Sequence, residues 1–102
     1  MEPSYFIHRI TGKVFKVLPL REEELKGNEV FLSEYIDSLV GELLGACKTF
    51  DCLSNDTDYY SVINTLQYLS DNPGTQKECR REVIKMCKLL NDLELKVGDT
   101  HV

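Results

Sequence analysis

The groups in this chain that could do chemistry are few, and little in their spacing brings them together. His8 and His101 are the only imidazoles among 102 residues. Covalent catalysis needs a nucleophile beside a base, which here means His8 beside Cys47, Cys52, Cys79, Cys87 or a serine, and no spacing requires that meeting. His8 stands between Phe6 and Ile10, surroundings that suit a half-buried structural histidine. The four cysteines run C-x4-C and C-x7-C. That matches no zinc module, where C-x2-C pairs recur with a second pair nearby. No metal site and no cofactor is therefore expected. Cys47, Cys79 and Cys87 fall among apolar residues at helical spacing, where a free thiol behaves as a small hydrophobe. Cys52 differs, because it lies in the polar stretch KTFDCLSND. A thiol-dependent enzyme or redox sensor at Cys52 is one alternative reading, opposed by Asp51, whose charge disfavours a thiolate. Glu22, Glu23 and Glu24 are consecutive, whereas paired acid and base carboxylates must face a common substrate. The expectation is a protein that is not an enzyme.

Recognition chemistry is better represented. Tyr60, Asn64, Gln67 and Tyr68 recur at helical spacing with no charge among them. Tyrosines with neutral amides have the composition of an interface core, where aromatics carry binding energy and charges are depleted. Gly41 and Gly45 share one face of another helix, opposite its apolar stripe. An interior glycine costs about 1 kcal/mol against alanine, so two on one face point to a close backbone approach. The approaching backbone belongs either to another part of this chain or to a second copy.

Lys77, Arg81, Lys85 and Lys88 form a basic stripe that could track phosphates. Glu78 and Glu82 stand three residues before Arg81 and Lys85, and Asp92 four after Lys88, so the stripe is partly neutralised along its own helix. The net charge is −5, with three basic and ten acidic residues over positions 19–58. That balance argues against non-specific binding to nucleic acid or an anionic membrane. A small nucleic-acid-binding regulator using the stripe is the first alternative, ahead of the thiol reading at Cys52.

The elements that must position these residues follow from hydrophobic period. Residues 5–18, YFIHRITGKVFKVL, alternate around Thr11-Gly12 and predict an antiparallel β-hairpin. Two registers are open. A three-residue loop groups Tyr5, Ile7, Phe15 and Val17, whereas a two-residue turn groups Phe6, His8, Phe15 and Val17. Pro19 ends the second strand, and an acidic connector follows. Apolar residues then recur every three or four, predicting helices over about 29–49, 57–70 and 76–96. Asn28 is the expected N-cap of the first, SDNPG the stop of the second, and Thr75 with Glu78 a capping box for the third. The expected fold is α+β: a hairpin packed on a three-helix cluster, in one small domain covering 1–102 with a frayed tail from about residue 98. The opening MEPSYFIHRI lacks the basic and apolar regions of a secretory signal, and no run approaches the ~20 apolar residues that span a bilayer. The sequence thus predicts a cytoplasmic, non-catalytic interaction module. It would bind another protein as an accessory or inhibitor, or itself as a homodimer, through Tyr60, Asn64, Gln67, Tyr68, Gly41 and Gly45.

Overall fold

Five apolar residues near the start of the chain are spaced for a helix. Phe6, Ile7, Ile10, Val14 and Val17 fall on one stripe at 3.6 residues per turn, and all five are buried. A computed structural model describes residues 2–99, and among them every regular element is a helix. The order is α1 (Pro3–Phe15), α2 (Val17–Leu25), α3 (Leu32–Thr49), α4 (Asp51–Ser54), α5 (Thr57–Asp71) and α6 (Gln76–Asp99). The expected hairpin over 5–18 is replaced by α1 and the start of α2, and the fold is a helical bundle rather than α+β. The physical reason lies in two aromatics. Tyr5 and Phe15 complete the alternating pattern, yet they are 60% and 57% exposed. Without them the remaining stripe has only the helical period.

The turn signal at Thr11-Gly12 is absorbed in the same way. The Thr11 hydroxyl donates to the Ile7 carbonyl one turn back at 2.9 Å, inside the helix. Gly12 does not take a positive φ, unlike Gly27 and Gly74 in the connections. Pro3 opens α1 in the first turn, where its missing N–H costs nothing. Pro19 has no N–H for the Phe15 carbonyl, and its ring crowds that carbonyl. The chain therefore gives way at Lys16, where α1 passes into α2 with Lys16 N–H on Gly12 and Leu20 N–H on Lys16.

Gly12 yields a direct test. It is exposed, and a Cβ added there would meet nothing within 4 Å. Gly12→Ala should therefore stabilise the protein by about 0.5–1 kcal/mol through helix propensity. In a hairpin turn the same change would destabilise, because alanine resists the left-handed conformation. The sign of the shift in the urea midpoint separates the two.

Tertiary bonds set the order of the bundle. Lys13 of α1 reaches Glu42 of α3 at 2.8 Å, and the Tyr35 hydroxyl donates to the Lys13 carbonyl. Phe6 stacks obliquely on Phe50, just past the end of α3. Ser70 of α5 bonds Ser33 and Asp37 of α3, while Lys96 of α6 pairs with Asp56 before α5. His8 of α1 meets Glu94 of α6, and Gln76 at the start of α6 donates to the Leu18 carbonyl in α2. Each neighbouring pair therefore runs antiparallel. The kinked α1–α2 leg lies along the full length of α6, with α3 and α5 closing the ring. The core between them is apolar throughout, with no buried polar or charged residue among those described.

The three later helices lie where the period predicts, with corrected ends. α3 begins at Leu32, and Asn28 bonds the Glu23 carboxylate instead of capping it. α5 is capped by Asp56, which accepts from Tyr59 N–H at 2.9 Å. Thr75 accepts from Glu78 N–H at 3.1 Å, as expected for α6. α6 continues through Gly98 to Asp99, so the tail expected to fray from about 98 is helical there, and its remainder lies outside the described residues.

Candidate functional site

Helices α3 and α5 carry the surface that the sequence singles out. The Tyr59 hydroxyl of α5 donates to the Leu43 carbonyl of α3, and Ser70 bonds Asp37 at 2.6 Å. These two ties fix the pair side by side along most of its length. Asp37 is thus on the α5 flank of α3, and Leu44, two turns on, shares that flank. Leu44 is 45% exposed. Tyr60 sits near Cys47, and that neighbour, with some desolvation, raises the Tyr60 pKa. The Tyr59 ring meets Tyr60 edge-on at 6.2 Å and sets its orientation. Asn64, Gln67 and Tyr68 are all exposed. The structure therefore joins Tyr60, Asn64 and Gln67 to the Gly41 side of α3 through Leu44, while Tyr68 stands further out.

Gly41 and Gly45 face outward, and a Cβ added at either would meet nothing within 4 Å. No part of the described chain covers them. Ser38, Gly41, Leu44 and Gly45 form a band with Tyr60, Ser61, Asn64, Gln67 and Tyr68 in which exposed Asp37, held by Ser70, is the charged group. Further charge stands at its ends, with exposed Glu34 at one end of α3 and exposed Lys48 at the other.

The basic stripe is on the outside of α6. Lys77, Arg81, Lys85 and Lys88 are all exposed. Glu82 lies 3.9 Å from both Arg81 and Lys85, and Glu78 is engaged with Thr75 at the helix start. The stripe is less neutralised than its spacing implies. Sequence reasoning missed what lies beside it. Ile84, in the middle of the stripe, is 52% exposed and lines a shallow groove with Phe15, Pro19 and Arg80. An isoleucine on an otherwise charged face was the available signal.

The groups with chemical potential remain separate. His8 Nδ1 lies 3.3 Å from Glu94, and the Cys87 thiol faces the Thr11 carbonyl at 4.0 Å. Burial pushes the Cys87 thiol up, away from the thiolate. Cys79 is buried and pushed up by desolvation, with Arg21 opposing. Cys52 is exposed on the four-residue α4. Among the described residues no three metal-ligating side chains gather, and no helix is long and apolar enough to cross a membrane.

No family model matches the sequence, and neither curated proteins nor solved structures match it. The surfaces themselves carry the functional argument.

Proposed function

We propose that this chain is a non-catalytic, cytoplasmic protein-interaction module that pairs with a second copy of itself through the α3–α5 face. The observation that carries this reading is the bare pair Gly41 and Gly45 beside the exposed Leu44, Tyr60 and Tyr68. Small residues let two helix backbones approach closely. Leu44, Tyr60 and Tyr68 beside them supply apolar and aromatic area of the kind that anchors interfaces. Four free thiols suit a reducing compartment.

The ends of α3 support self-pairing. Glu34 and Lys48 stand seven residues either side of Gly41. A two-fold contact with the α3 helices antiparallel and crossing at Gly41 sets Glu34 against Lys48 of the partner subunit, twice by symmetry. The charges at the two ends of α3 are thus complementary across the two-fold.

Light scattering across a concentration range tests the reading. The parent should approach twice its 11.7 kDa chain mass, and Gly41→Arg should remain monomeric with unchanged helical content. Glu34→Lys and Lys48→Glu should each weaken pairing, the double variant should recover it, and a mixture of the two single variants should form heterodimers. A parent that stays monomeric, or a Gly41→Arg chain that pairs like the parent, removes the proposal.

A further inference from the structure

The α1–α2 leg and α6 leave a long groove on the opposite side of the bundle from the α3–α5 face. Three adjoining depressions of ≈ 320, 410 and 500 Å³ make it up. The first shares Phe15 with the third, and Arg80 and Ile84 with the second, which lies on α6 alone. The first thus joins the other two into one line. It runs from His8 and Asn91, past Phe15 and Ile84, to Pro19 and Lys77. From His8 to Pro19 is about three helical turns, or roughly 17 Å. Phe15 and Ile84 are 57% and 52% exposed at its centre, and exposed Gly12 presents no side chain.

The charge around this apolar floor is mainly basic, with Glu22 the carboxylate among the lining residues. Lys77, Arg80 and Lys88 have no carboxylate within 4 Å among the described residues. Of the acidic groups near them, three are engaged elsewhere, and exposed Asp92 stands one turn from Lys88 without contacting it. Glu22 pairs with Lys26 at 3.5 Å, Glu78 holds Thr75, and Glu82 is shared by Arg81 and Lys85 at 3.9 Å. Only Arg81 and Lys85 of the basic set are thus in contact with an acid.

We infer that the groove between α1–α2 and α6 binds an acidic amphipathic helix of a partner protein. Apolar side chains at i, i+4 and i+7 of that helix would cover Phe15 and Ile84. Its flanking carboxylates would meet Lys77, Arg80 and Lys88. The groove follows the seam between two helices, where a third can pack by ridges and grooves. The apolar floor is the reason for choosing a protein over nucleic acid. A phosphate backbone uses the cations but leaves Phe15 and Ile84 in water, and the chain's net charge of −5 opposes it.

The test uses fluorescence anisotropy with a labelled helical peptide of about five turns, leucine at i, i+4, i+7 and i+11 and glutamate on the remaining face. A lysine-for-glutamate version and a DNA duplex serve as comparisons. The acidic peptide should bind saturably at ~50 mM salt and weaken as salt rises. Ile84→Glu and Arg80→Glu should each lower its affinity by about tenfold or more, with helical content unchanged. The lysine peptide should bind at least tenfold more weakly. Four results would overturn the inference: no saturation up to ~1 mM peptide, a little above the weakest affinities such interfaces show; equal binding of the lysine peptide; parent-like affinity in Ile84→Glu; or a DNA duplex binding more tightly than the peptide and losing that binding in Arg80→Glu. A parent whose mass falls on Phe15→Glu would instead place a second copy in the groove, and would likewise overturn it.

Discussion

Replacing Tyr59 by alanine is expected to lower the unfolding free energy by about 3–5 kcal/mol, the range for emptying a large aromatic site in a core. Tyr59 is fully buried and the largest of the completely buried side chains. It lies where α5 meets α3, and its hydroxyl donates to the Leu43 carbonyl. Burial holds that hydroxyl far above the ordinary tyrosine range, so it stays a donor at every accessible pH. Tyr59→Phe keeps the ring and loses only this bond, for about 0.5–1.5 kcal/mol. Two-state urea unfolding of the parent and both variants separates packing from hydrogen bonding. A small domain has only about 5–15 kcal/mol in hand, so the alanine variant should unfold at a much lower urea midpoint. A loss under about 1 kcal/mol for Tyr59→Ala would mean that α5 does not seat on α3 as described. The consequence reaches the surface, because the Tyr59 ring orients Tyr60 edge-on. Tyr59→Ala should therefore weaken self-pairing more than its exposure would imply.

The second large effect belongs to Asp56. Its side chain is 8% exposed and does three things: it caps α5 through Tyr59 N–H at 2.9 Å, accepts from Lys96 of α6 at 2.7 Å, and so ties two helices at one end. Burial raises its pKa, but the Lys96 hydrogen bond, the Tyr59 N–H and the Lys96 charge outweigh that, and the net value lies below the ordinary one. Lys96 is raised in turn, first by the hydrogen bond to Asp56. The carboxylate's contribution is present above the ordinary aspartate value of 3.8 and is lost as pH falls through the lower folded value. The ammonium's is present below 10.5 and is lost as pH rises through the higher folded value. Asp56→Ala should cost about 1–2 kcal/mol through the plateau between these limits. The gap between parent and variant should narrow below about pH 4, where the unfolded chain takes up the proton. Urea midpoints at about pH 3, 5 and 7 read this directly. Asp56→Asn keeps an acceptor for Tyr59 N–H and should recover the capping part alone. A variant gap that is constant from pH 3 to 7 would show that the charge of Asp56 contributes nothing.

The elements that the sequence announced clearly are those with one clean stripe. Leu32, Ile36, Leu39, Val40, Leu43 and Ala46 of α3 are all buried, and nothing on the opposite face competes with them. The first helix was hidden because Tyr5 and Phe15 extend a helical stripe into an alternating one, and Thr11-Gly12 imitates a turn. What decides between the periods is solvent exposure of those two rings, a property of the assembled bundle. The neutral face of α5 was readable, since a helix with a fixed core side fixes its outer side too. The bareness of Gly41 and Gly45 was not, because the hairpin expected nearby was the natural cover. The groove needed the first of these undone: Ile84 gains a neighbour in Phe15 only once α1 lies along α6.

That first and last helices are packing partners has a consequence for how the molecule comes into being. His8 and Glu94 meet across 86 positions of sequence, so the part of the α1 stripe that packs on α6 stays uncovered until α6 has been synthesised. At about 5–20 residues per second, a ribosome takes roughly 4 to 17 s over that interval. α3 and α5 can meet as soon as their short connection is made, whereas the closing step must wait for distant chain, which slows folding. During those seconds that part of the stripe is an exposed sticky strip on the nascent chain, and a holding chaperone would find its best target there.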